Sequence, residues 1–212
     1  LRGEKGMPTI FRGASRPSRS ARDSNTLLAN LFDQCLIKLG FEAIRSNSIF
    51  ATSDRRHASE FGTVYMLFPI NGFKFTYINK TDIVIDSFRE LMKPDVFEHI
   101  QSLFKSRGDE IGTRYSYWSS HLLYNERLKT PEEIVHRLKE MFPEDSVVQN
   151  LSADKLVDCE YINSEYEPSD SDLEKALKYR YETMIKGSYY AIAYDAYFRS
   201  AGVNKLGFNI IQ

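Results

Sequence analysis

Strand-length apolar runs gather at the two ends of this chain while helical periodicity fills its middle, and that order limits the fold more than any single motif. Early runs are Thr9–Arg12, Ser48–Thr52, Thr63–Pro69 and Phe73–Ile78; late ones are Glu182–Lys186, Tyr189–Tyr194 and Val203–Ile211. Each is short and bounded by Gly, Asn, Ser or Pro, as strands are. Between them, Pro94 opens a segment with Val96, Phe97, Ile100, Leu103 and Phe104 on one helical face. Thr113–Tyr124 is read as a second helix. Thr130-Pro131-Glu132-Glu133 is a strong helix start, with Thr as N-cap, Pro at the first helical position and Glu completing a capping box. Strands, then helices, then strands predict an α+β fold with a helical insertion. The 212 residues suit one well-filled domain, drawn as residues 9–212 behind a flexible arm at 1–8.

Further local signals complete the outline. Gly13 is expected to end the first strand, and Ser15–Ser24, rich in Ser and Arg, to be a loop. Ser24 or Asn25 caps a helix whose apolar face is Leu27, Leu28, Leu31, Phe32, Cys35, Leu36 and Leu39, ended by Gly40. A short helix is placed around His57–Phe61, and a further strand at Asp82–Asp86. Asn71-Gly72 reads as a two-residue hairpin turn between the third and fourth runs. Ser171 and Glu174 read as a capping box for a helix reaching about Tyr179.

Composition excludes several classes. The hydrophobic share of 42% and aromatic share of 13% belong to a packed protein, not a disordered one. The longest apolar runs are strand-sized, so no membrane partner is expected, and the site of action is drawn as cytoplasmic. Leu1 in place of methionine fits a processed or excised chain. Cys35 and Cys159, without motif spacing, read as free thiols. The four histidines lack metal-ligand spacing, so no metal is expected. Net charge is −1, but residues 1–22 carry six Lys or Arg against Glu4, while residues 144–175 carry ten Asp or Glu against two Lys. The bland readings are a basic arm and a solvated acidic loop; the sharper ones are a phosphate-facing end and a surface for a basic partner. The aromatic cluster Arg114–Tyr124 reads as core and interface ahead of a stacking platform.

Three strand segments each place polar groups among apolar neighbours: TIFRGAS with Arg12, SIFATSD with Thr52 and Ser53, and YETMIKGSYYAI with Glu182. In this order the chain resembles the ADP-ribosyltransferase superfamily, in its Arg, Ser/Thr, Glu branch. The resemblance covers about 30 residues of the 212. It rests on a strand-borne Arg12 before a helix, Ala51-Thr52-Ser53 before the His57 segment, and Glu182 followed by Gly187 and Tyr189-Tyr190. It implies a split-sheet cleft of two short sheets, with helices from about Asp86 to Phe142 covering one side. It also implies NAD as a substrate and transfer of ADP-ribose to a macromolecule, a protein ahead of a nucleic acid. Toxin-like and viral proteins are among the settings it brings into view.

The residue types suit that chemistry. Breaking the nicotinamide–ribose bond builds positive charge on the ribose, which a carboxylate such as Glu182 stabilises. By the resemblance, Arg12 clamps a phosphate of NAD, because guanidinium matches an oxyanion bidentately. Thr52 and Ser53 hold the ribose edge or steer Glu182, Gly13 admits close backbone approach, and Tyr190 lines the site unless alternation turns it into the core. His57 reads first as capping or decorating a short helix, ahead of a place near a phosphate with Arg55 and Arg56. Two departures stand out: Ala51 replaces the first serine of the motif, and Arg180 occupies the position where arginine-modifying relatives carry a second glutamate. Two other classes stay open: a catalytically inactive structural or interaction protein on the same fold, such as a processed virion component, and a nucleic-acid binder using the Arg-rich arm.

Overall fold

The structure is a computed structural model that describes residues 9–18, 26–79, 88–107, 128, 130–195 and 208–211. These fall into two compact units, one drawn from Leu1–Ser20, Leu36–Ile83 and Tyr166–Gln212, the other from Ala21–Cys35 and Val84–Glu165. The protein is a mixed α and β structure, and among the described residues the sheet lies in the first unit. The expected arm, the cap at Ser24 or Asn25, the strand at Asp82–Asp86 and the aromatic cluster at 114–124 lie outside the described residues.

The first unit contains strands β1 (Ile10–Ala14), β2 (Ile49–Thr52), β3 (Tyr65–Pro69), β4 (Lys74–Tyr77), β5 (Thr183–Lys186), β6 (Ser188–Ala193) and β7 (Phe208–Ile211). They form one seven-stranded sheet in the order β1-β6-β3-β7-β2-β5-β4, with every pairing antiparallel. The sequence led us to expect two short sheets. The three-stranded halves β1-β6-β3 and β2-β5-β4 are present, but β7 pairs with both β3 and β2 and joins them. Gly187 alone separates β5 from β6, although these strands belong to different halves. It turns the chain at φ +137°, a conformation glycine adopts without a Cβ penalty, and an added Cβ would meet the Phe73 backbone at 3.2 Å. Ala51 and Ile185 from one half pack with Tyr65, Leu67, Tyr189 and Ala191 from the other, so one face of each half meets in a shared core.

Two local expectations are corrected here. Gly13 lies inside β1, because its missing side chain leaves room for the ring of the opposed Tyr189. Asn71-Gly72 is a turn but not a hairpin: β3 and β4 are not paired and sit far apart in the sheet order. The physical reason is turn type. Gly72 has φ +88° while Asn71 is not among the positive-φ residues, and Phe73 N–H donates to the Ile70 carbonyl at 3.2 Å. A hairpin turn of type I′ needs positive φ at both central residues; this one fits type II, which splays the flanking strands.

Helix α1 (Thr26–Lys38) passes from the second unit into the first after Cys35. It buries Leu28, Phe32 and Leu36 completely, each worth about 1.5–3 kcal/mol. Gly40 at φ +93° ends it; the Gly40 and Phe41 N–H groups donate back to the Ile37 and Leu36 carbonyls. The second unit adds α3 (Pro94–Ser106), α4 (Pro131–Met141), α5 (Ser146–Gln149), α6 (Ala153–Leu156) and α7 (Cys159–Tyr166). Phe97, Ile100 and Phe104 are buried from α3, and Ile134, Val135 and Leu138 from α4. The capping box at Thr130 and Glu133 forms as expected.

Helix α2 (Arg55–Glu60) follows β2, and α8 (Leu173–Tyr179) precedes β5. The stretch read as an acidic loop is ordered as α5 to α8, and its carboxylates cap helices. Asp145 accepts from Val148 N–H at 2.9 Å, Asp158 from Tyr161 N–H at 3.0 Å and Asp172 from Lys175 N–H at 2.8 Å. Asp172, not Ser171, is therefore the cap of α8. The cysteine reading is also corrected: Cys35 of α1 and Cys159 of α7 form a disulfide, with Cα atoms 5.1 Å apart, inside the usual range. Spacing in the chain gave no sign of it, because the two are brought together only by the packing of helices 124 residues apart.

Candidate functional site

The nominated residues fall into two groups. Register assigns each to a face, since directly opposed residues in an antiparallel ladder project to the same side. One row runs Ile10, Ile192 and Met66 and, across the β7 backbone, Thr52, and continuing the β2–β5 register sets Glu182 opposite Thr52. A second row, two residues along, runs Arg12, Tyr190 and Phe68. Both rows occupy the face turned away from the shared core. Gly13 is on the core face, opposed to Tyr189.

Thr52, Ser53 and Glu182 come together. Thr52 is the last residue of β2 and is 2% exposed; Glu182 immediately precedes β5 and is 4% exposed. The Thr52 hydroxyl donates to the Arg180 carbonyl at 3.4 Å and accepts from Asp54 N–H at 3.1 Å. The Ser53 hydroxyl donates to the Leu177 carbonyl at 2.5 Å. Both hydroxyls thus grip the turn that delivers Glu182. Their protons are engaged by these main-chain carbonyls.

Asp54 and Arg180 are functional-looking residues that the sequence reading did not place together. Asp54 caps α2, accepting from Arg56 and His57 N–H groups at 2.9 and 3.2 Å through Oδ1. Its Oδ2 lies 3.3 Å from Nη1 of Arg180. The His57 N–H holds the Asp54 carboxyl below its ordinary range, followed by the Arg56 N–H and the Arg180 guanidinium, against an opposing effect of burial. The signal for the cap was legible in S-D-R-R-H; the signal for the pair was not. Tyr181, next to Glu182, is stacked between Tyr77 and Tyr179, with ring centroids 5.8 and 5.7 Å away.

Arg12 and Tyr190 are exposed neighbours on β1 and β6. The structure does not set them beside Thr52. β1 stands four strands from β2 in the sheet order, roughly 19 Å along the sheet at the usual strand spacing. Tyr190 is 47% exposed, so alternation sends Tyr189, not Tyr190, into the core. Arg55 pairs with Asp195 at 3.3 Å and covers the Tyr194 ring at 4.2 Å. His57 packs on Phe61 and lies 3.4 Å from Glu60, so it decorates α2. Among the described residues, no group of three His, Cys, Asp or Glu is arranged to hold a metal, and no helix is long and apolar enough to cross a membrane. Comparisons with protein-family models, curated proteins and solved structures return no match.

Proposed function

We propose that this protein is a divergent NAD-dependent mono-ADP-ribosyltransferase acting on a macromolecular target, with a protein as acceptor and Glu182 as the catalytic carboxylate. The observation that carries the reading is the β2–β5 register, which continued by one residue sets Thr52 opposite Glu182. Two motif residues from distant parts of the chain, one ending β2 and one just before β5, are thereby brought side by side, on the face that also bears Arg12 and Tyr190. In the proposed reaction the bond between ribose C1′ and the nicotinamide nitrogen breaks, and its electron pair leaves with nicotinamide. Positive charge then spreads over C1′ and the ring oxygen, where the Glu182 carboxylate offsets it most effectively in surroundings shielded from water. The acceptor nucleophile attacks C1′ and gives its proton to solvent. Arg180 is cationic and paired with Asp54, so it offers no base for that proton. Thr52 and Ser53 act as positioning residues, and Arg12 with Tyr190 would receive the far part of an extended dinucleotide.

A second reading, a scaffold or interaction protein without catalysis, is favoured by one specific set of facts. Glu182 is 4% exposed, both motif hydroxyls are engaged by carbonyls, and Arg12 belongs to the other half of the sheet. The nucleic-acid reading rests on residues 1–22, most of which lie outside the described residues.

Labelling a lysate with tagged NAD decides between catalysis and scaffold. The transferase reading expects protein bands that vanish in Glu182→Gln, with NAD affinity largely retained, and weaker NAD binding in Arg12→Ala. Absence of labelling together with absence of NAD binding by calorimetry overturns it in favour of the scaffold. Labelling that survives Glu182→Gln removes Glu182 from the chemistry.

A further inference from the structure

Arg180 stands where a left-handed residue must end α8. Its φ of 61° and ψ of 29° are those of a C′ position, and the Arg180 and Tyr181 N–H groups donate to the Leu177 and Ala176 carbonyls at 3.3 and 3.0 Å. This is the Schellman arrangement, in which glycine is the usual occupant and asparagine the next. An arginine carries a Cβ penalty there and gains nothing from the turn itself. What it gains is a side-chain contact across the sheet unit, Nη1 to Asp54 Oδ2 at 3.3 Å.

The two oxygens of Asp54 have separate partners. Oδ1 takes the N–H groups of Arg56 and His57 and starts α2; Oδ2 takes Arg180. The same turn is gripped through its main chain by the Thr52 and Ser53 hydroxyls. Three consecutive residues of one segment, 52 to 54, therefore hold the end of α8 and the turn after it, at Leu177 and Arg180, just ahead of Glu182. We infer that the Asp54–Arg180 ion pair is a positioning element for Glu182, fixing the α8–β5 turn so that the carboxylate enters β5 opposite Thr52. The catalytic part of this inference rests on the transferase reading; the mechanical part does not. Asp54 touches no reacting atom and acts only through Arg180, whose side chain is 66% exposed.

The test uses Asp54→Asn, which keeps a competent N-cap and loses the charge, together with Arg180→Met and Arg180→Lys. Amide hydrogen exchange reads the mechanical part without any need for activity. Asp54→Asn and Arg180→Met are expected to speed exchange at residues 180–183 by about two- to fivefold, as loss of a partly exposed pair allows, with β3 and β6 amides unchanged and Arg180→Lys restoring most of the protection. Exchange at 180–183 equal to the unmodified protein in both variants overturns the inference. Steady-state NAD turnover reads the catalytic part. kcat should fall by a similar factor while KM stays constant, and an unchanged kcat with accelerated exchange overturns the positioning role. If the unmodified protein turns over no NAD at all, the transferase reading fails by itself, and the exchange result still decides whether the pair holds the turn.

Discussion

Reducing the Cys35–Cys159 disulfide should cost this protein a large part of its thermal stability, and the size of that loss follows from chain statistics. The bond closes a loop of 124 residues. In the chain-entropy account, closing such a loop removes freedom from the unfolded ensemble worth about 5 kcal/mol at 25 °C. For a chain of this length each kcal/mol moves the midpoint by about 2–4 °C, so the shift is roughly 10–20 °C. Differential scanning calorimetry would compare the native protein, the same protein held in reductant, and the Cys35→Ala, Cys159→Ala double variant. The reduced form isolates the cross-link, because both sulfurs stay in place; the double variant also loses sulfur packing at Cys35, which is 2% exposed. The reduced protein should therefore lie far below the oxidised form and the double variant somewhat lower still, with near-native circular dichroism at low temperature. A midpoint that moves by under about 3 °C on reduction would refute the loop-entropy argument. Two titratable thiols in unreduced, denatured protein would refute the bond itself. In a reducing compartment the pair would be a dithiol, since such bonds persist mainly in oxidising surroundings.

Two more outcomes are expected from particular contacts. Gly13→Ala places a Cβ 2.7 Å from the Tyr189 ring, so it should destabilise by about 1–3 kcal/mol in urea unfolding, and Tyr189→Leu in the same chain should relieve most of that cost. Asp145 is held below the ordinary carboxylate range by the Val148 N–H first and by His99 next. A depressed folded-state value gives stability that is complete above the unfolded value of about 4 and is lost as pH falls through the folded one. Stability of the unmodified protein should thus drop below about pH 4, and Asp145→Asn should flatten that drop; an equally steep fall in the variant would exclude Asp145 as its source.

How much of this was legible depends on whether the signal was local. Thr130 and Glu133, Gly40 and the apolar face of α1 are as the sequence predicts, because caps, periodicity and left-handed glycines are decided within a few residues. Strands are found where most of the short apolar runs lie, although β1 runs on through Gly13 and the run at Asp82–Asp86 lies outside the described residues. The Asn71-Gly72 turn is legible as a turn, yet its type II geometry splays the flanking strands, and β3 pairs with β6 and β7 while β4 pairs with β5, far along the chain. Ser171 and Asp172 compete for one cap, and the carboxylate takes it. In the candidate site, the sequence pointed to Thr52, Ser53 and Glu182, and their grouping is a matter of β2 lying beside β5. It gave no warning that Arg180 would reach Asp54, or that β1 would be the outer strand of the other half, since both depend on sheet order and not on residue type.

The place of β7 bears on how the sheet is assembled. Among the described residues, before 208–211 dock the two halves amount to separate ribbons whose outer strands are β1 and β3 on one, β2 and β4 on the other. Docking covers two of these at a stroke, and Ser169 bridges to Tyr77 on the margin of β4. A strand so late in chain order acts as a keystone. Until it is set, open hydrogen-bonding rims invite pairing with other copies, the route by which half-built sheets aggregate.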